Sequence, residues 1–124
     1  MGINPNKFLR IWFPLAFYSG IIFYISSLPN IKVPLGVRFS DKLVHFLEYI
    51  PFGFLLARAM WQSKASVSRK VFLAVVFWGT LAYALSDEFH QSFVAGREST
   101  LADALADTIG GFMGGWLYVR NKTF

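Results

Sequence analysis

From Phe8 to Leu28 the chain carries a single charge, Arg10, near the start of an otherwise apolar run. That run supplies the ~20 residues an α-helix needs to cross the hydrocarbon core of a bilayer. In lipid a backbone meets its own hydrogen-bonding needs only as a helix or a closed barrel, and an unbroken apolar run selects the helix. A secretory signal has a shorter apolar region of about 7 to 15 residues. The segment is therefore expected to persist as a first transmembrane helix, about 8–28, with Pro14 near its first turns, where a missing amide donor matters least.

Three more helices are expected. After the breaker-rich loop Pro29-Asn30-Ile31-Lys32-Val33-Pro34-Leu35-Gly36, a second runs over about 41–61, with Ser40 as N-cap and Asp41 in the first turn. Pro51 cannot donate to the carbonyl of Leu47, which predicts a kink beside His45 and Glu48. The third, about 71–91, joins the apolar Val71–Leu85 to the polar Ser86-Asp87-Glu88-Phe89-His90-Gln91. Its apolar part alone is short, so a re-entrant segment is the competing reading. The fourth covers about 101–119, after a loop holding Gly96, Arg97 and Glu98. The expected fold is an all-α membrane protein, a four-transmembrane-helix bundle in one domain spanning 1–124.

Composition agrees, since 15% of the residues are charged against about 25% in a soluble domain. The net charge of +5 lies between apolar runs and forms no stripe, which argues against a nucleic-acid partner. With no cysteine, thiolate metal sites, disulfides and cysteine nucleophiles are excluded.

Charge also orients the helices. Eight basic residues (Lys7, Arg10, Arg58, Lys64, Arg69, Lys70, Arg120, Lys122) fall on the side of the termini and four (Lys32, Arg38, Lys42, Arg97) on the other. The positive-inside rule then places both termini in the cytoplasm. All seven carboxylates, Asp41, Glu48, Asp87, Glu88, Glu98, Asp103 and Asp107, fall on the outer side with both histidines.

At 3.6 residues per turn, Asp41, His45, Glu48 and Phe52 share a stripe of helix two, with Tyr49 beside it. Tyr83, Asp87 and His90 share one on helix three, bordered by Gln91, while Glu88 points elsewhere. On helix four Asp103 and Asp107 stand one turn apart. Ionisable groups at membrane depth face a bundle interior or a wet cavity, so these stripes are expected to converge on an outward-opening polar cavity. Helix one brings only Ser26 and Ser27 there and is expected to form a wall. Gly110, Gly111, Gly114 and Gly115 give small-xxx-small spacing for close helix contact, within one bundle or between two copies of the chain.

In order along the chain, Asp41-Lys42-Leu43-Val44-His45 with Tyr49 and Gly53, then Ser86-Asp87-Glu88 with Gln91, then Gly96-Arg97 and Asp103 before Gly110 and Gly114, resemble the VanZ-like family. The match runs from about residue 41 to 115. The resemblance implies a small multi-pass protein of the bacterial cytoplasmic (inner) membrane, associated in the founding branch with tolerance of the lipoglycopeptide teicoplanin. No defined reaction comes with it. Its polar signature falls on Asp41, Lys42, His45, Asp87, Glu88, Gln91, Arg97 and Asp103, and where asparagine is expected one turn after Asp103 this chain has Asp107.

These residues admit more than one chemistry. Asp41, His45, Glu48, Asp87 and His90 are the candidates for acid–base catalysis or metal ligation, against a reading in which His45 is a buried, hydrogen-bonded histidine. Glu88 is expected to pair with Arg97 or Lys42. Lys42, Tyr49, Glu88, Gln91, Arg97, Asp103 and Asp107 are the candidate ligand-binding groups, with Arg97 able to grip a phosphate or carboxylate as a planar fork. The expected partners are membrane lipids, lipid-linked envelope precursors or a lipoglycopeptide. Neither a cofactor nor a metal is assigned by the sequence. The leading expectation is an envelope protein that binds such an amphiphile. An intramembrane enzyme acting on a lipid headgroup comes second, without a nucleophile motif. A small proton-coupled exporter comes last, since the cytoplasmic halves lack any acid.

Overall fold

A computed structural model describes residues 2, 4–29, 38–63 and 66–124. The loop 30–37 with Lys32, the side chains of Arg38 and Ser40, and Lys64 lie outside the described residues. Four helices follow in order: α1 (Pro5–Ser26), α2 (Arg38–Gln62), α3 (Arg69–Gln91) and α4 (Leu101–Val119), with no strand among the described residues.

Three of the helices start from a side-chain cap. Asn4, Ser68 and Thr100 accept from the amides of Asn6, Val71 and Asp103, which removes one unpaired donor from each first turn. Two expected starts move. Helix α2 begins at Arg38, so Ser40 lies inside it and is not its N-cap. Helix α1 begins at Pro5, which leaves Pro14 in its interior. Helix α3 is one unbroken helix of 23 residues, long and apolar enough to cross a membrane, as are α1 and most of α2. It shows no break of the kind a re-entrant segment needs.

Burial is inverted relative to a water-soluble bundle. Phe13, Phe17, Tyr24, Trp78, Leu101 and Leu105 are exposed, while Thr80, Asp87, Glu88, Asp103, Asp107 and Thr108 are buried. Water would penalise such an apolar surface, and hydrocarbon does not. Helix α4 shows the inversion most sharply. Its Leu101, Leu105 and Ile109 face outward, and its aspartates and glycines face in.

The glycines set how closely α4 approaches its neighbours. A methyl group at Gly110 would strike the carbonyl of Phe46, and one at Gly114 the carbonyl of Ile50, both on α2. Gly111 and Gly115 have the same relation to the side chains of Thr80 and Val76 on α3. Both small faces are therefore covered within one chain, and the stripe that by spacing could join two copies is occupied internally.

Helices α1 and α2 each carry an internal proline, Pro14 and Pro51, and each is supported by the other. Proline removes the amide that would bond four residues back and weakens the turn beside it. Arg58 on α2 donates to the carbonyl of Ile11 at 3.3 Å, and Tyr18 on α1 donates to the carbonyl of Glu48 at 2.6 Å. Both acceptors directly follow the carbonyls of Arg10 and Leu47 that the prolines leave without an amide, so the cross-helix bonds fall beside the weakened turns.

Candidate functional site

The end of the bundle away from the termini gathers polar side chains from all four helices. On the α2–α4 side, Lys42 forms an ion pair with Asp103 and a longer one with Asp41 at 3.5 Å. His45 Nδ1 lies 2.9 Å from Asp107 Oδ1, and its Nε2 lies 3.8 Å and 3.9 Å from Asp41 and Asp103. The spacing explains the meeting: Asp41 and His45 are one turn apart on α2, as are Asp103 and Asp107 on α4. The glycine seam below holds the two helices close enough for these pairs to form.

A second group lies between α1 and α3. Asp87 accepts from Ser26 through one carboxylate oxygen and from the hydroxyl of the fully buried Tyr49 through the other, at 3.2 Å. Gln91 donates to the Ser26 hydroxyl at 3.0 Å, and Ser27 pairs with His90 Nε2 at 2.9 Å. Phe23 stacks on the His90 ring with centroids 4.3 Å apart. Helix α1 is therefore a participant and not the bare wall expected. A hydroxyl pair on an apolar helix gives no periodic signal, and only their position at the outer end pointed to Ser26 and Ser27.

Glu88, expected to point away from the converging stripes, is instead buried and comes within 4.8 Å of His45 and Asp107, because α3 packs on α4 through this face as well. The expected ion pairs with Arg97 or Lys42 are not formed. One carboxylate oxygen accepts instead from the Ser99 hydroxyl and the Thr100 amide, both at 3.2 Å. The reason lies in the loop, where Gly96 takes a left-handed φ of 77° that costs glycine little, turning the chain so that Ser99 and Thr100 come back over α3. Sequence reasoning missed Ser99 and Thr100. Serine and threonine before an apolar run signal a cap, but not the distant carboxylate they also hold.

Asp41 and Lys42 reach the surface, with side chains 48% and 36% exposed. Glu48 is half-buried and forms no side-chain hydrogen bond among the described residues. Four buried polar atoms have no partner there: Thr80 Oγ1, Glu88 Oε1, Arg97 Nε and Asp107 Oδ2. Two groups bring three possible metal-ligand atoms within 4.8 Å of one another, Asp41–His45–Asp103 and His45–Glu88–Asp107.

Apolar exposed helices around a buried, internally bonded polar end define an α-helical membrane protein. The family model described as VanZ/LLP1 matches residues 4–122, and the chain belongs to that family. No curated protein and no solved structure matches it.

Proposed function

We propose that the chain is a multi-pass protein of the bacterial cytoplasmic membrane, with four spanning helices and both termini inside, whose outward polar end binds the anionic headgroup of a lipid-linked or amphiphilic molecule. Arg97 carries the proposal. Its Nε is buried and has no acceptor among the described residues. A buried guanidinium donor without a partner is a rare arrangement in a folded chain, and a phosphate or carboxylate from outside would complete it. Lys42, partly exposed, offers a second positive group at the same end. Tyr49, Gln91, Asp103 and Asp107 are buried and bonded internally, which makes them the frame that holds the mouth. The exposed Leu43, Val44, Leu101 and Leu105 flank that frame on α2 and α4 and suit an acyl or prenyl chain.

Purified protein in nanodiscs, titrated with phosphatidylglycerol, a polyprenyl-linked peptidoglycan precursor and teicoplanin, tests this reading. Saturable binding of at least one is expected, weakened about tenfold or more by Arg97→Ala, in line with loss of a charge-assisted contact. Absence of saturable binding for all three ends it. Teicoplanin tolerance, proposed here as one physiological setting, would be scored in cells for the same variant with membrane abundance measured alongside.

The contact between His45 and Asp107 favours a second reading, an intramembrane enzyme in which an oriented imidazole exchanges a proton with a bound headgroup. Turnover of envelope lipids in vesicles, lost in His45→Ala, is its required observation.

A further inference from the structure

We infer that His45, Glu88 and Asp107 form a binding site for one divalent transition cation, of the Zn²⁺ or Mn²⁺ class. The inference is independent of which amphiphile the mouth accepts. The three residues come from α2, α3 and α4, are 8%, 4% and 0% exposed, and present donor atoms within 4.8 Å of one another. A second observation points to an ion. Each carboxylate has one bonded oxygen and one buried oxygen with no partner, Glu88 Oε1 and Asp107 Oδ2. Burying an unsatisfied carboxylate oxygen is costly, and two of them beside one imidazole compound the cost. A divalent cation balances both negative charges and gives each free oxygen a partner, with the neutral imidazole as third ligand.

The donor set narrows the metal. One imidazole nitrogen with carboxylate oxygens suits Zn²⁺ and Mn²⁺ better than Mg²⁺ or Ca²⁺, which favour oxygen alone. His45 Nδ1 lies 2.9 Å from Asp107 Oδ1, so imidazole and carboxylate already meet at one point, and Nδ1 would exchange that contact for the ion. The rest of the site supports His45 as a ligand. With Nδ1 turned to the ion, Nε2 lies 3.8 Å and 3.9 Å from the carboxylates of Asp41 and Asp103, beyond hydrogen-bond reach but close enough to favour the proton on that nitrogen. Ser99 and Thr100 likewise hold the other oxygen of Glu88. The neighbouring Asp41–His45–Asp103 group is the weaker candidate, because the Lys42 ammonium already pairs with both of its carboxylates.

The full chain, purified in detergent with a tag free of histidine, would be stripped with a chelator and reloaded with Zn²⁺, Mn²⁺, Mg²⁺ or Ca²⁺. It would then be desalted and its metal content measured by elemental mass spectrometry. The expected result is about one Zn²⁺ or Mn²⁺ per chain and little Mg²⁺ or Ca²⁺. Glu88→Gln and Asp107→Asn should each weaken retention about tenfold or more, with Lys70→Met, exposed at the opposite end, leaving it unchanged. Co²⁺ bound to the unaltered chain should give visible ligand-field absorption, a readout that survives if the variants fail to fold. Three results overturn the inference: no metal retained by the unaltered chain, equal retention in the folded Glu88→Gln/Asp107→Asn double variant, or loss on Asp41→Asn with retention in Glu88→Gln.

Discussion

The two ends of the bundle handle charge in opposite ways. At the end bearing the termini, cations rest on carbonyls and aromatic rings. Arg58 donates to Ile11, Arg69 donates to the carbonyl of Lys122 at 2.6 Å and lies over Phe124, and Lys122 lies over Trp61 and Tyr118. Among the described residues no carboxylate pairs with them there, so their positive charge is left whole. Lys7 and Arg10 also line an open cleft at that end. At the other end every ion pair among the described residues joins α2 to α4 or lies within α2, and the carboxylates that take part are bonded to side chains of the bundle itself. One end presents charge to its surroundings, and the other turns charge inward. That arrangement costs desolvation and is repeated on three helices, and the proposed function rests on it.

That contrast depends on the glycine seam, and its loss should have the largest effect. A β-carbon at Gly110 meets the backbone of Phe46, which cannot move aside as a side chain would. Gly110→Leu should therefore part α2 from α4, destabilising the fold by about 3 kcal/mol or more, at the upper end for an overpacked interior. Gly20 has nothing within 4 Å of the same position, so Gly20→Ala should be neutral or stabilising by up to about 1 kcal/mol. Unfolding in detergent followed by circular dichroism compares the two. Equal stability would mean that the seam does not hold the polar end together.

The next effect tests the ends directly. Asp87→Ala strips a partner from Ser26 and Tyr49 at once, for an expected loss of about 1 to 3 kcal/mol, with Asp87→Asn recovering part of it. At the basic end Arg69→Ala removes one hydrogen bond and one ring contact near the surface, for about 1 kcal/mol or less. Should Arg69 prove the more costly of the two, the polar end would not be the tightly bonded one.

The parts legible in the sequence were those that depend on one helix at a time. Span lengths followed from apolar runs, and the stripes of α2, α3 and α4 followed from helical periodicity, because Asp41 and His45, or Asp103 and Asp107, share a face whatever they touch. Relations between helices were not legible. Gly110 and Gly114 signalled close approach without saying whose backbone would be approached. Pro14 and Pro51 signal broken ladders, but that Arg58 and Tyr18 bond beside those breaks is seen only with α1 and α2 side by side. Helical periodicity turns Glu88 away from the other stripes, yet it lies beside His45 and Asp107 and is held by Ser99 and Thr100, because its neighbours depend on helix packing and on the turn at Gly96. Asp107, the departure from the expected asparagine, proved to be the fully buried partner of His45.

The smallest expected effect concerns Arg97, and its smallness is informative. The side chain forms no ion pair among the described residues, and its buried Nε has no acceptor. Replacing a side chain that forms no hydrogen bond or ion pair among the described residues should shift stability by no more than about 0.5 kcal/mol, and removing an unsatisfied donor can even raise it. Arg97→Ala measured by the same unfolding assay should thus match the parent chain in stability while losing headgroup binding. A framework residue cannot behave so, because its removal lowers binding through the fold. Stability lost in parallel with binding would move Arg97 from the mouth into the frame, leaving Lys42 as the positive group that still faces outward at that end.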